Sequence, residues 1–111
     1  MTRVARLFLV EEEYRLALLD AERLLASATV GAAMSTEALL GTDVAFAAAY
    51  HDARPHPGQT EVARQLRALL ADSALQHSHH GLPHKVQDPY SIRCVPQVHG
   101  AVADALAGPQ R

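Results

Sequence analysis

The stretch YRLALLDAERLLASA, Tyr14 to Ala28, decides the fold class. Its apolar positions Tyr14, Ala17, Leu18, Ala21, Leu24, Leu25 and Ala28 recur at steps of three and four. That is the period of a helix with one apolar stripe, not the two-residue alternation of a strand. Glu11 precedes Arg15 by four residues and Asp20 precedes Arg23 by three, which salts the outer face with opposite charges. The same pattern allows a start as early as Arg3. Composition points the same way. Apolar residues are 49% of the chain, yet aromatics are 5% and tryptophan is absent, so the apolar content rests on Ala, Leu and Val. Such a mixture favours helices over a β-sandwich.

Working outward, MSTEALLGTD (Met34 to Asp43) predicts a short separate helix. Ser35 is its candidate N-cap, Glu37 lies in its first turn, and Gly41 follows the last apolar pair as a C-cap. DVAFAAAY extends a second helical piece to about Tyr50. HDARPHPGQ then breaks the pattern, with Pro55, Pro57 and Gly58 placed outside regular elements. TEVARQLRALLAD carries a stripe of Val62, Leu66, Leu69 and Leu70, with Arg64 and Arg67 elsewhere. It predicts a helix from near Thr60, with Glu61 placed for the helix dipole. Ser73 to Gln87 reads as a loop. Asp88 is a candidate N-cap and Pro89 fits a first helical position. Pro96 interrupts, so a short turn, a kink and a helix from about Pro96 to Ala107 are expected. No strand pattern and no internal repeat stands out; the chain reads as all-α.

At 111 residues the sequence suits one domain or a piece of a larger one. A formal charge of −2 offers no basic field for nucleic acid. Cys94 is the only cysteine, which excludes an internal disulfide and a cysteine-rich zinc site. A reducing cytoplasm is the expected compartment. The opening MTRVARLFLVEEE has too short an apolar run for a signal peptide, and no run approaches the roughly 20 apolar residues of a membrane span.

Two neighbouring stretches carry candidate chemistry. In HSHHGLPH, the imidazoles of His77, His79, His80 and His84 are potential zinc or nickel ligands. Spacing argues against a site. His80 and His84 are separated by one helical turn, but Gly81 and Pro83 lie between them. No acidic ligand is interleaved, so a polar loop rich in histidine is the simpler reading, and no metal is expected. In VQDPYSIRC, a helix opened by Pro89 would put Tyr90 and Arg93 on one face. An arginine there suits a two-pronged grip on a carboxylate. A tyrosine beside it can donate to a substrate or relay a proton. The amide of Gln87 can donate and accept. Spacing alone favours a plainer alternative, with Arg93 salt-bridged internally and Tyr90 packed in the core.

The tract VQDPYSIRCVPQVHGA closely resembles the signature of the aromatic amino acid ammonia-lyases, and most closely of their histidine branch. DAERLL, MSTEALLGTDVAF and RPHPGQTEVARQLRALL resemble further family segments in the family's order. The resemblance runs from Tyr14 to Ala107, and several ordered motifs are far more specific than one. It implies helices and connecting loops from the core of a larger helical bundle, in a homotetrameric cytoplasmic enzyme of histidine catabolism. Such enzymes eliminate ammonia from histidine, phenylalanine or tyrosine to give an unsaturated acid. The electrophile is a methylidene-imidazolone group formed from an internal Ala-Ser-Gly. By resemblance, Arg93 grips the substrate carboxylate, Tyr90 is the catalytic residue that lines the site and handles protons, and Gln87 contacts the substrate region. This reverses the preference for the plainer alternative.

The departures are equally definite. No Ala-Ser-Gly occurs in the sequence, so the chain itself supplies no such cofactor. Residues 1–111 are expected to form a single partial domain, lacking the family's N-terminal electrophile-forming region and its C-terminal part. The expected function is that of a histidine ammonia-lyase fragment, inactive alone, contributing the carboxylate-binding tract. Asp88-Pro89 and Ser91 resemble the histidine branch; the tyrosine and phenylalanine branches are the alternative. A different class of reading is a non-catalytic helical module that associates with itself or with lyase subunits, because stripes cut from a bundle expose apolar surface. Neither reading involves nucleic acid or membrane.

Overall fold

The computed structural model describes residues 2–83 and 87–108. Among them there is no strand, and the fold is all-α, as the periodicity predicts. Helix α1 runs Arg3–Ala38, opened by Thr2, whose side chain accepts from the Ala5 N–H at 3.1 Å. A 3₁₀ turn, Val44–Phe46, leads to α2, Ala48–Asp52. Helix α3 is Pro57–Leu70 and α4 is Ala74–Ser78. The one-turn α5, Tyr90–Arg93, joins α6, Val95–Ala107, through Cys94.

Helix α1 continues through the break expected before Ser35. The reason is local. Ser35 Oγ donates to Gly31 O (2.9 Å), Thr36 Oγ1 to Ala32 O (2.8 Å) and Thr29 Oγ1 to Leu25 O (3.1 Å). Hydroxyls that bond back one turn belong to a helix interior, so Ser35 caps nothing. The helix ends in a Schellman motif. Leu40 N–H donates to Glu37 O at 3.1 Å and Gly41 N–H to Thr36 O at 2.7 Å. The left-handed residue is Leu40 (φ 51°), not Gly41. Gly41 is instead a point of close approach: a Cβ there would sit 3.0 Å from Thr36 Cγ2 and 3.2 Å from Asp88 Oδ2.

Three other boundaries also move. Helix α3 begins at Pro57, not Thr60, because a proline fits a first helical position where its missing N–H costs nothing. Glu61 therefore lies beyond the first turn. It takes Arg64 Nε and Nη2 at 2.8 and 2.7 Å, and these bonds draw its carboxyl pKa down to about 2. Part of the expected loop after Ser73 is α4, whose Ser73 side chain accepts from Gln76 N–H at 3.1 Å. Asp88 does not cap α5; Pro89 holds that position and no side-chain cap bond forms.

The core is built where α3 and α6 cross and the C-terminal part of α1 lies over them. Ala33, Phe46, Val62, Leu66, Leu70, Ile92 and Val95 form one buried cluster. Burial of several large aliphatic side chains, each contributing about 1.5–3 kcal/mol, is the main stabilising term. Phe46 enters from the 3₁₀ turn, and Arg67 turns back to donate to its carbonyl at 2.7 Å. Buried His51 donates from Nε2 to Ala45 O and accepts the Gln59 amide at Nδ1, both at 2.9 Å, as a neutral imidazole does. The N-terminal part of α1 stands clear of this core. Val4, Leu7, Phe8 and Val10 are exposed, and the molecule reaches 67 Å in its longest dimension. Among the described residues, no helix is long and apolar enough to cross a membrane.

Candidate functional site

Asp88 is the anchor of the QDPYSIRC tract. It is buried, and its Oδ2 accepts the Thr42 N–H at 2.7 Å, just past the end of α1. Proline at 89 keeps residue 88 extended. The chain therefore enters α5 from a fixed point on α1. One turn later, Arg93 Nε donates to the carbonyl oxygen of Asp88 at 2.9 Å. Arg93 Cζ lies 5.5 Å from the centroid of the Tyr90 ring, within cation–π range.

The structure thus brings Tyr90 and Arg93 together on one face, as their spacing predicts. Tyr90 is 71% exposed and is not packed in the core. Among the described residues Arg93 forms no ion pair. The internally salt-bridged arrangement is therefore not what these residues adopt. With Nε engaged and the Tyr90 ring beside it, the Nη1/Nη2 edge is presented as a planar pair of donors. Gln87 is exposed at the start of the tract, next to Asp88, and is not drawn into the Tyr90–Arg93 pair.

The histidine stretch is arranged differently. His77 and His80 meet edge to face with centroids 5.4 Å apart, and His79 and His80 at 6.2 Å. His79 Nδ1 lies 2.9 Å from Leu75 O and Nε2 lies 3.1 Å from Gly41 O. Both ring nitrogens of His79 thus face backbone carbonyl oxygens and are not turned toward the other histidines. Among the described residues no group of three His, Cys, Asp or Glu side chains is placed to hold a metal ion; His84 lies outside them.

A sequence model of the family "Aromatic amino acid lyase" matches residues 15–110. The chain belongs to this family. It is 58% identical over 92 residues to a histidine ammonia-lyase of Anaeromyxobacter dehalogenans, covering 82% of this chain and 18% of that one. It is 53% identical over 91 residues to a probable histidine ammonia-lyase of Halobacterium salinarum, covering 82% and 17%. In three dimensions it is similar to Pantoea agglomerans phenylalanine aminomutase, with a TM-score of 0.73 and 35% identity, covering 84% of this chain and 21% of that chain. The chain spans about a fifth of the length of these relatives.

The lyase-family chain also holds polar groups that sequence reasoning did not single out. A cavity of about 350 Å³ lies between α1, α5 and α6, lined by Ala32, Ser35, Ser91, Ile92, Val95 and His99 among others. His99 Nδ1 is 3.0 Å from Thr29 Oγ1. The Thr29 hydroxyl proton is committed to Leu25 O, so Nδ1 is the donor and Nε2 keeps its lone pair. Partial burial pushes the His99 pKa below its ordinary value, which favours the neutral ring. His99 sits in the quoted VPQVHGA, but nothing in the local pattern points to Thr29, 70 residues away. Asp88 was read as a local cap for the same reason: its partner, Thr42, is 46 residues distant.

Proposed function

We propose that the chain carries the carboxylate-gripping tract of a histidine ammonia-lyase-type enzyme, which eliminates ammonia from L-histidine to give urocanate. The presentation of the Arg93 Nη1/Nη2 edge, with Nε tied to Asp88 O and Tyr90 alongside, supports this most directly. A guanidinium edge matches the two oxygens of a carboxylate and binds it with two parallel charge-assisted bonds. The exposed Tyr90 hydroxyl stands where it can donate to, or exchange a proton with, a substrate held by Arg93. Gln87 supplies an adaptable amide at the edge of the same surface. The nearness of histidine ammonia-lyases at 50–58% identity favours histidine over tyrosine or phenylalanine.

The electrophile of the reaction does not fit this chain, because no Ala-Ser-Gly is present to form it. An arginine grip orients a substrate but activates no leaving group. The chain alone is therefore proposed to be inactive. Incubated with L-histidine and followed at the ultraviolet absorbance of urocanate, it should give a flat trace. Turnover by the purified chain would overturn the proposal.

A second reading is favoured by one observation. Val4, Leu7, Phe8, Val10, Tyr14 and Leu16 on α1 are all more than half exposed. An apolar surface of this kind drives association, with copies of itself or with lyase subunits, in a homotetrameric, cytoplasmic assembly as the family resemblance implies. Light scattering of the purified chain should report a mass above the 12.0 kDa monomer. A monomer with cooperative unfolding would exclude it.

A further inference from the structure

We propose that Asp88 is the positioning residue of the clamp: it fixes the guanidinium of Arg93 by linking it to the end of α1. The consequence for substrate rests on the carboxylate-gripping reading above, whereas the linkage itself does not.

The chain of contacts is short and each member is held. The Schellman bonds Leu40 N–H to Glu37 O and Gly41 N–H to Thr36 O fix the path of the backbone as it leaves α1. The next amide, Thr42 N–H, is thereby aimed at Asp88 Oδ2 over 2.7 Å. A carboxyl oxygen accepting a backbone N–H at that length makes a short hydrogen bond. Asp88 is 2% exposed, so water competes little for it. Gly41 leaves room for the approach: a Cβ there would sit 3.2 Å from the accepting oxygen, a tight contact.

Asp88 then uses its other end. Its carbonyl oxygen takes Arg93 Nε–H at 2.9 Å. A guanidinium can present either its Nε–Nη edge or its Nη–Nη edge to a carboxylate. Occupation of Nε by the backbone removes the first choice and leaves the second, an end-on grip. The Tyr90 ring, 5.5 Å from Arg93 Cζ, limits rotation of the guanidinium plane. Pro89 (φ −53°, ψ 145°) makes the link stiff, because it denies Asp88 the helical region and separates the Asp88 carbonyl from the α5 hydrogen-bond pattern. Asp88 thus acts through Arg93 and makes no contact with substrate itself.

The test is nuclear magnetic resonance of arginine side chains in the whole chain. In the unmutated chain, Arg93 Hε should exchange slowly with solvent and show a scalar coupling across the hydrogen bond to the Asp88 carbonyl carbon. Asp88→Ala keeps the carbonyl but releases the tract from Thr42, and should speed Hε exchange several-fold, up to the roughly tenfold of losing the Hε bond outright. Asp88→Asn keeps an oxygen that can accept from Thr42 and should stay within about threefold of the unmutated rate. A merely structural role would loosen Arg67, bonded to Phe46 O, along with Arg93; here Arg67 exchange should stay unchanged in Asp88→Ala. Unchanged Hε exchange in Asp88→Ala would overturn the proposal. If that variant does not fold, absence of the cross-bond coupling in the unmutated chain overturns it equally. Addition of L-histidine separates the two readings. If Hε exchange follows the Asp88 substitutions but Arg93 ignores histidine, the linkage stands and the carboxylate reading fails.

Discussion

Replacing Gly100 with alanine should loosen the contact on which the core depends. A methyl group built at Gly100 would overlap Gln59 N and lie 2.5 Å from Gln59 Cα and 2.7 Å from Gly58 C. All three are backbone atoms in the first turn of α3, so no side chain can rotate out of the way. Gly58 is the reciprocal partner; a Cβ there would overlap Gly100 O, and its N–H is held by Asp104 Oδ1 at 2.9 Å. Two opposing terms decide the sign. Alanine gains about 1 kcal/mol over glycine in a helix interior. Overpacking a rigid contact costs about 1–3 kcal/mol, and here the backbone obstacle puts it at the upper end. The net expectation is destabilisation by about 2 kcal/mol. Gly31 supplies the internal control. It also lies within a helix, but nothing is within 4 Å of its built Cβ. Gly31→Ala should therefore show the propensity gain alone, about 1 kcal/mol. Urea denaturation followed by circular dichroism should place the two variants on opposite sides of the unmutated midpoint with similar slopes. Equal midpoints for Gly100→Ala and Gly31→Ala would refute the reasoning.

Leu40 pays the steric cost of a left-handed residue, about 1–2 kcal/mol, at a position 41% exposed. Leu40→Gly should raise the thermal midpoint by several degrees, equivalent to about 1 kcal/mol; a lower midpoint would mean that the leucine side chain matters more than its backbone. His99 should make stability pH-dependent. Burial lowers its pKa in the folded state from 6.5, so the unfolded chain binds more protons as pH falls. Its contribution is fully present above about pH 6.5 and is lost on acidification through the lowered value. His99→Gln should flatten the fall in thermal midpoint between about pH 7 and pH 5; an identical slope would show that His99 is not the group concerned.

What the sequence makes legible follows the reach of its signals. The stripe positions Val62, Leu66 and Leu70 and the spacing of Tyr90 from Arg93 are local patterns and appear as read, whereas Leu69, expected in the same stripe, is 46% exposed. Ser35 is ambiguous because a hydroxyl that caps a helix and one that bonds back a turn have the same sequence; only the continuation of α1 decides. Ser73 was hidden by the prolines and glycine that follow, although it opens a short helix before them. Asp88 and His99 give no local sign of their contacts because their partners, Thr42 and Thr29, lie 46 and 70 residues away. Gly100 is a further case: its neighbour Gln59 is distant in sequence, and a glycine in a helix gives no sign of the backbone pressed against it. Family membership was legible because the ordered motifs span nearly the whole chain.

The claim that Arg93 is a carboxylate clamp is tested most directly by comparing two ligands that differ only in that group. L-Histidine and histamine share the imidazole and the amine; histamine lacks the carboxylate. Titrated into the chain with arginine side chains labelled for nuclear magnetic resonance, L-histidine should shift the Arg93 Nη signals, while histamine leaves them in place. Equal shifts from both ligands, or none from L-histidine, would contradict the account.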